Sequence, residues 1–224
     1  MSLDLSALFR PKPAGPLFRI LTVCTGNICR SPLAELYLRS SLSDLKIVSV
    51  SSAGTMAQDG QAMPEQAKAL ARRAHLHPDS HRASYLVERD IAEADLVLGM
   101  AREHRRDVVA LHPRASRYTF TVREFARLAH GMTFADMPTV MALPAGEAVG
   151  RLRGAITDVA ARRGMVSGPK DVEDEDVIDP YRLSDEVFAA SGEQLYPAVD
   201  TVARILHAAA ATSSNEGEAT HGGR

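Results

Sequence analysis

The chain has 224 residues, 45% hydrophobic and 24% charged, with a formal net charge of −2. That balance suits one globular domain carrying an added segment, and it argues against nucleic acid or an anionic membrane as a partner. Two cysteines are too few for a disulfide framework, no apolar run nears the roughly 18 residues of a membrane span, and the first residues do not read as a signal peptide, so a reducing cytoplasm is the expected home.

In chain order, residues 1–16, ending in "RPKPAGP", read as a flexible leader. A β-rich run, "LFRILTV" (17–23), is followed by helical spacing in "PLAELYLRSSL" (32–42). A second strand is expected over 46–54 and a helix over 64–75, with Pro64 at its start. "ADLVLGM" (94–100) is apolar throughout, as a strand buried on both faces would be, and a helix follows over 102–112. A fourth strand (117–122) and a helix (123–130) come next. Residues 131–170 break the rhythm and read as an insertion on the helical layer. The run 184–210 is one helix or two, with Leu195, Val199, Val202 and Leu206 on one face and Pro197 expected to kink or split it. Residues 212–224 read as a disordered tail, leaving 17–211 as a single domain.

The βα alternation predicts an α/β fold: a central four-stranded parallel sheet between two helical layers. The stretch between the first strand and first helix, "VCTGNICRSP" (23–32), carries the chemistry. In a strand–loop–helix turn, successive backbone N–H groups converge at a helix N-terminus and cradle an anion, commonly phosphate. Gly26 permits a tight backbone, and Asn27 tolerates a left-handed one. Ser31 can cap the helix and Pro32 suits its first turn. The same field favours the thiolate of Cys24, and Arg30 offers a planar fork for phosphoryl oxygens. C-x5-R alone is a weak pattern, and an inert buried thiol beside a surface cation would also satisfy it; the loop setting is what makes it specific. The histidines form no ligand set with Cys24 and Cys29, so neither a metal nor another cofactor is expected.

"VCTGNICRSPLAE" resembles the signature of the low-molecular-weight protein tyrosine phosphatases, and "SSAGT" (51–55), "SHRAS" (80–84), "ADLVLGM" and "DPY" (179–181) follow in that family's order. The resemblance implies a phosphomonoester hydrolase acting on phosphotyrosine in proteins through a phosphocysteine. It implies that Cys24 is the nucleophile, Arg30 the phosphate clamp and Asp179 the general acid. Thr25, Gly26, Asn27, Ile28, Cys29 and Ser31 would then form the phosphate loop, with Ser31 stabilising the thiolate. Ser52 and His81 would support the loop with Asn27, and Tyr181 would wall the substrate ring. The chain departs from the family at Arg182, where many members have a second tyrosine, and in having no tryptophan, so "TMAQDGQAM" (55–63) replaces an aromatic loop.

Upstream of Asp179, "DVEDED" (171–176) reads either as a solvated acidic loop or as charge that keeps Asp179 protonated. The spacing of Cys24 and Cys29 also brings a disulfide within reach. Three other activities fit parts of the pattern. A protein arginine phosphatase would typically carry threonine at the Ile28 position. An arsenate reductase would need further cysteines after Cys29. A non-catalytic phosphate-binding module would not need Cys24, Arg30 and Asp179 together.

Overall fold

The computed structural model describes residues 16–211. The expected leader, apart from Pro16, and the expected tail lie outside the described residues. Four strands form one parallel sheet in the order β2-β1-β3-β4: β1 (Phe18–Cys24), β2 (Val48–Gly54), β3 (Leu96–Gly99) and β4 (Thr119–Thr121). Each overlaps a predicted strand. Period-2 alternation divides the side chains between two apolar layers. Ile20, Leu96 and Leu98 join the larger one, and Leu21, Val23 and Val97 the smaller.

The larger layer is closed by α1 (Arg30–Ser41), α2 (Glu65–Arg73), α5 (Val122–Leu128), α7 (Ala148–Ala161) and α8 (Asp185–Ala210). The smaller is covered by α3 (Glu88–Glu93) and α4 (Arg102–Leu111). Between α5 and α7 lie a 3-10 turn (Phe134–Asp136) and the short helix α6 (Pro138–Met141). Among the described residues no helix is long and apolar enough to cross a membrane.

Pro197 does not split the last helix: α8 runs unbroken through it. An internal proline costs about 3 kcal/mol. Leu195, Val199, Val202 and Leu206 are each fully buried, and each such side chain returns about 1.5–3 kcal/mol. Burial of the predicted face therefore outweighs the missing hydrogen bond. Residues 131–170 also enter the core. Leu152, Ile156 and Val159 of α7 are buried, and the buried Arg151 donates to the carbonyls of Ala209 (2.9 Å) and Ala211 (2.7 Å), capping α8.

Helix α1 starts two residues earlier than its spacing predicts. Its N-cap is Cys29, and Ser31 lies inside the helix with no capping bond. Ser31 instead turns its hydroxyl under the loop, because that loop carries buried polar atoms that need partners.

Candidate active site

Chain order reverses direction on either side of β1, with β2 on one side and β3 on the other. The carboxyl ends of β1 and β3 therefore border the crevice in which open α/β sheets bind ligands. Residues 24–30 turn there from β1 into α1. Asn27 takes the left-handed conformation (φ 52°), as anticipated, whereas Gly26 does not. Closure of the turn depends on β2: Thr55 donates to the Cys24 carbonyl (3.0 Å) and Met56 to that of Thr25 (2.8 Å). At Gly54 an added Cβ would stand 2.6 Å from the Thr25 carbonyl oxygen and 2.8 Å from the Asn27 nitrogen, so only glycine fits.

The loop floors a cleft of about 460 Å³, which Asp179, Tyr181 and Arg182 enter from the far end of the chain. A larger hollow of about 810 Å³ between α5 and α8 is lined by no cysteine, so size does not select the site. Cys24 is buried at the floor, 3.0 Å from Ser31 Oγ. Arg30 is also buried; Nη1 donates to the Val177 carbonyl (3.1 Å), Nη2 lies 2.7 Å from Asp179 Oδ2, and Nε has no hydrogen-bond partner among the described residues. An unpaired guanidinium N–H at this depth is costly, and a phosphoryl oxygen is the acceptor that fits it.

Asn27 and Ser31 turn their side chains below the cleft instead of lining it. Asn27 Nδ2 donates to Ser31 Oγ (2.9 Å) and to Ser52 Oγ (2.8 Å), and Asn27 Oδ1 accepts from the Ser84 amide (2.8 Å). His81 Nε2 lies 2.8 Å from the Asn27 carbonyl oxygen. The support network implied for Asn27, Ser52 and His81 is thus one connected set. Its anchor is Glu35, a buried carboxylate that accepts from Ser52 and faces His81 at 3.7 Å. Glu35 closes the quoted motif, yet spacing alone assigned it no role.

His104 was also missed. It is wholly buried in α4, with Nε2 2.9 Å from Thr25 Oγ1. Burial, reinforced by the Arg30 charge, pushes its imidazole down from about 6.5 to about 3. No sequence spacing connects the two, since β3 and α4 bring His104 beneath a loop 79 residues earlier. Cys29 lines the same cleft as a free thiol. Burial, then the neighbouring Cys24, pushes it up to about 12.

At the mouth, Tyr181 is 43% exposed and Arg182 stands 5.0 Å over its ring. The tryptophan-free loop contributes Met56, Gln58 and Gln61 to the rim. The acidic run is exposed over 171–174, as a solvated loop would be, but its last two carboxylates are half-buried. Asp176 pairs with Arg102 (2.9 Å) and Glu175 with Arg127 (2.5 Å). These two carboxylates are therefore engaged by arginines.

Residues 19–139 match the family model described as low molecular weight phosphotyrosine protein phosphatase. A protein-arginine-phosphatase of Geobacillus stearothermophilus is 38% identical over 108 residues, 48% of this chain and 71% of that relative. A probable low molecular weight protein-tyrosine-phosphatase of Ralstonia solanacearum is 37% identical over 105 residues, 47% of this chain and 70% of the relative. A crystal structure of a low molecular weight protein tyrosine phosphatase from T. tengcongensis superposes with a TM-score of 0.57 at 30% identity, covering 82% of this chain and 96% of that one.

Proposed function

Because the chain belongs to the low molecular weight phosphotyrosine protein phosphatase family, we propose that it hydrolyses phosphotyrosine in proteins through a phosphocysteine on Cys24. The observation that carries this reading is the convergence, in one cleft, of Cys24, the unpartnered buried Nε of Arg30 and the carboxyl of Asp179.

In the first step the Cys24 thiolate attacks phosphorus and the P–O bond to the phenol breaks. The loop amides and Arg30 hold the equatorial oxygens as charge develops on them. Asp179, as the acid, gives its proton to the departing phenolate. In the second step water attacks the phosphocysteine. Asp179 takes a proton from the water, the P–S bond breaks, and sulfur leaves as a thiolate stabilised by the Ser31 hydroxyl. Cys24→Ser removes the nucleophile and should lower kcat at least about a hundredfold.

Arginine is the competing substrate, since relatives carry that activity in their names. Ile28 favours tyrosine: it is 6% exposed and lines the cleft. Its branched aliphatic group packs against an aromatic ring but offers no acceptor to a guanidinium. kcat/KM for phosphotyrosine should exceed that for phosphoarginine by at least about tenfold, with Ile28→Thr narrowing the ratio. A wild-type enzyme that prefers phosphoarginine overturns the tyrosine assignment and leaves the cysteine chemistry in place.

A further inference from the structure

The acid and the nucleophile come from opposite ends of the chain, and chemistry requires a fixed separation between them. Residues 100–104, joining β3 to the first turn of α4, touch both loops. Towards the nucleophile, the Met100 amide donates to the Val23 carbonyl (2.8 Å) and His104 Nε2 lies 2.9 Å from Thr25 Oγ1. Towards the acid, the Met100 carbonyl accepts from the Val177 amide (2.8 Å). The Arg102 amide donates to Asp176 Oδ1 (2.7 Å), and its guanidinium grips the same carboxylate through Nε (3.2 and 3.1 Å) and Nη2 (2.9 Å).

We propose that this turn is the positioning element that sets the Asp179 loop against the Cys24 loop, with Arg102 holding the acid side through Asp176 and His104 holding the nucleophile side through Thr25. The proposal rests on reading Asp179 as the general acid. Two features go beyond ordinary packing. First, His104 is wholly buried and its Nδ1 has no hydrogen-bond partner among the described residues. A half-satisfied buried imidazole costs stability, so packing alone would favour an apolar ring there. Of its two ring nitrogens, Nε2 is directed at Thr25 Oγ1 at 2.9 Å, with the exposed Glu103 Oε1 farther off at 3.5 Å. The tautomer follows: Nε2–H donates to Thr25 and leaves a lone pair on Nδ1, whereas the reverse tautomer would bury an unpaired N–H. Second, Asp176 is held on both sides, because its backbone carbonyl accepts from Arg123 Nη1 (2.9 Å) while its carboxylate is held by Arg102. Between that anchor and the fixed φ of Pro180, little freedom is left for Asp179.

The test compares phenyl phosphate, whose leaving group needs a proton, with dinitrophenyl phosphate, whose leaving group does not. Arg102→Met keeps the stem and removes the clasp. Compared by kcat/KM, which reports the first step and not the hydrolysis common to both substrates, it should lower turnover of phenyl phosphate about tenfold or more and of dinitrophenyl phosphate less than about threefold. Asp176→Asn should behave alike, by a second route. In an Asp179→Asn background Arg102→Met should add no further loss, since both changes remove the same proton transfer. His104→Phe should instead slow both substrates alike and raise KM. His104→Gln, which restores a nitrogen donor, should recover most of the loss, and both changes should be without effect in Thr25→Val. Equal loss on both substrates for Arg102→Met, or loss additive with Asp179→Asn, overturns the clasp. A His104→Phe effect that persists undiminished in Thr25→Val overturns the nucleophile side. If Asp179→Asn lowers kcat/KM equally for both substrates, the acid assignment falls and takes the proposal with it.

Discussion

Ser31→Ala isolates one proton of the site. Asn27 Nδ2 has two hydrogens, and Ser31 Oγ and Ser52 Oγ accept them at 2.9 and 2.8 Å. Ser31 is therefore an acceptor towards Asn27, and its own hydrogen is left for Cys24 Sγ at 3.0 Å or the Ala53 carbonyl at 3.4 Å. The sulfur is closer and carries the charge as a thiolate. A hydrogen bond to a charged group contributes about 1.5–3 kcal/mol. At about 1.4 kcal/mol per factor of ten, its loss should slow the step in which sulfur leaves phosphorus by about ten- to a hundredfold. The loss belongs to the second half of the reaction, where the thiolate is the leaving group. Stopped-flow measurement with an aryl phosphate should show a burst of phenol approaching one per active site, then slow turnover. A variant whose kcat stays within about threefold of wild type, or whose burst slows by the same factor as its turnover, refutes the reasoning. The change also leaves one Asn27 N–H unpaired in a fully buried position, so stability should fall by about 1–3 kcal/mol, checked by denaturant unfolding.

His104 makes folding stability depend on pH. Its folded value, about 3, lies below the ordinary 6.5, so the unfolded chain binds the extra proton between those limits. Stability from this residue is complete above about pH 6.5 and is lost as pH falls towards about 3, by at most about 1.4 kcal/mol per pH unit; His104→Gln should flatten that slope in denaturant titrations. Mild peroxide should convert the Cys24 thiolate to a sulfenic acid, which the Cys29 thiol then displaces to form a disulfide and water. Since Cys29 is pushed up to about 12, that closure should speed up about tenfold per pH unit over the mildly alkaline range. Mass spectrometry showing overoxidised Cys24 beside free Cys29 at every pH would count against it.

Local pattern was sufficient for the sheet and for the loop that carries Cys24 and Arg30. The four strands announced themselves by apolar content and period, and "ADLVLGM" by having no polar face, because a parallel strand is covered on both sides. Cys24 and Arg30 were legible because the loop that joins them is contiguous, so its spacing is its geometry. Asp179 was legible only through family order, since Asp-Pro by itself describes a turn. What the tertiary structure decided lies where chemistry depends on distant segments. Ser31 suits a helix cap by position but lies inside α1, and its hydroxyl meets Cys24, as the resemblance implied, because Asn27 sits below the loop to orient it. The acidic run is solvated over 171–174, and only the structure shows Arg102 and Arg127 taking Asp176 and Glu175. Pro197 looked like a break, and the buried face of α8 overrode it. Glu35 and His104 carried no spacing signal, because the bonds that give them roles, to Ser52 and to Thr25, exist only once β2 and β3 flank β1. Periodicity records which face of an element is buried; it does not record which polar atom across the core will meet it.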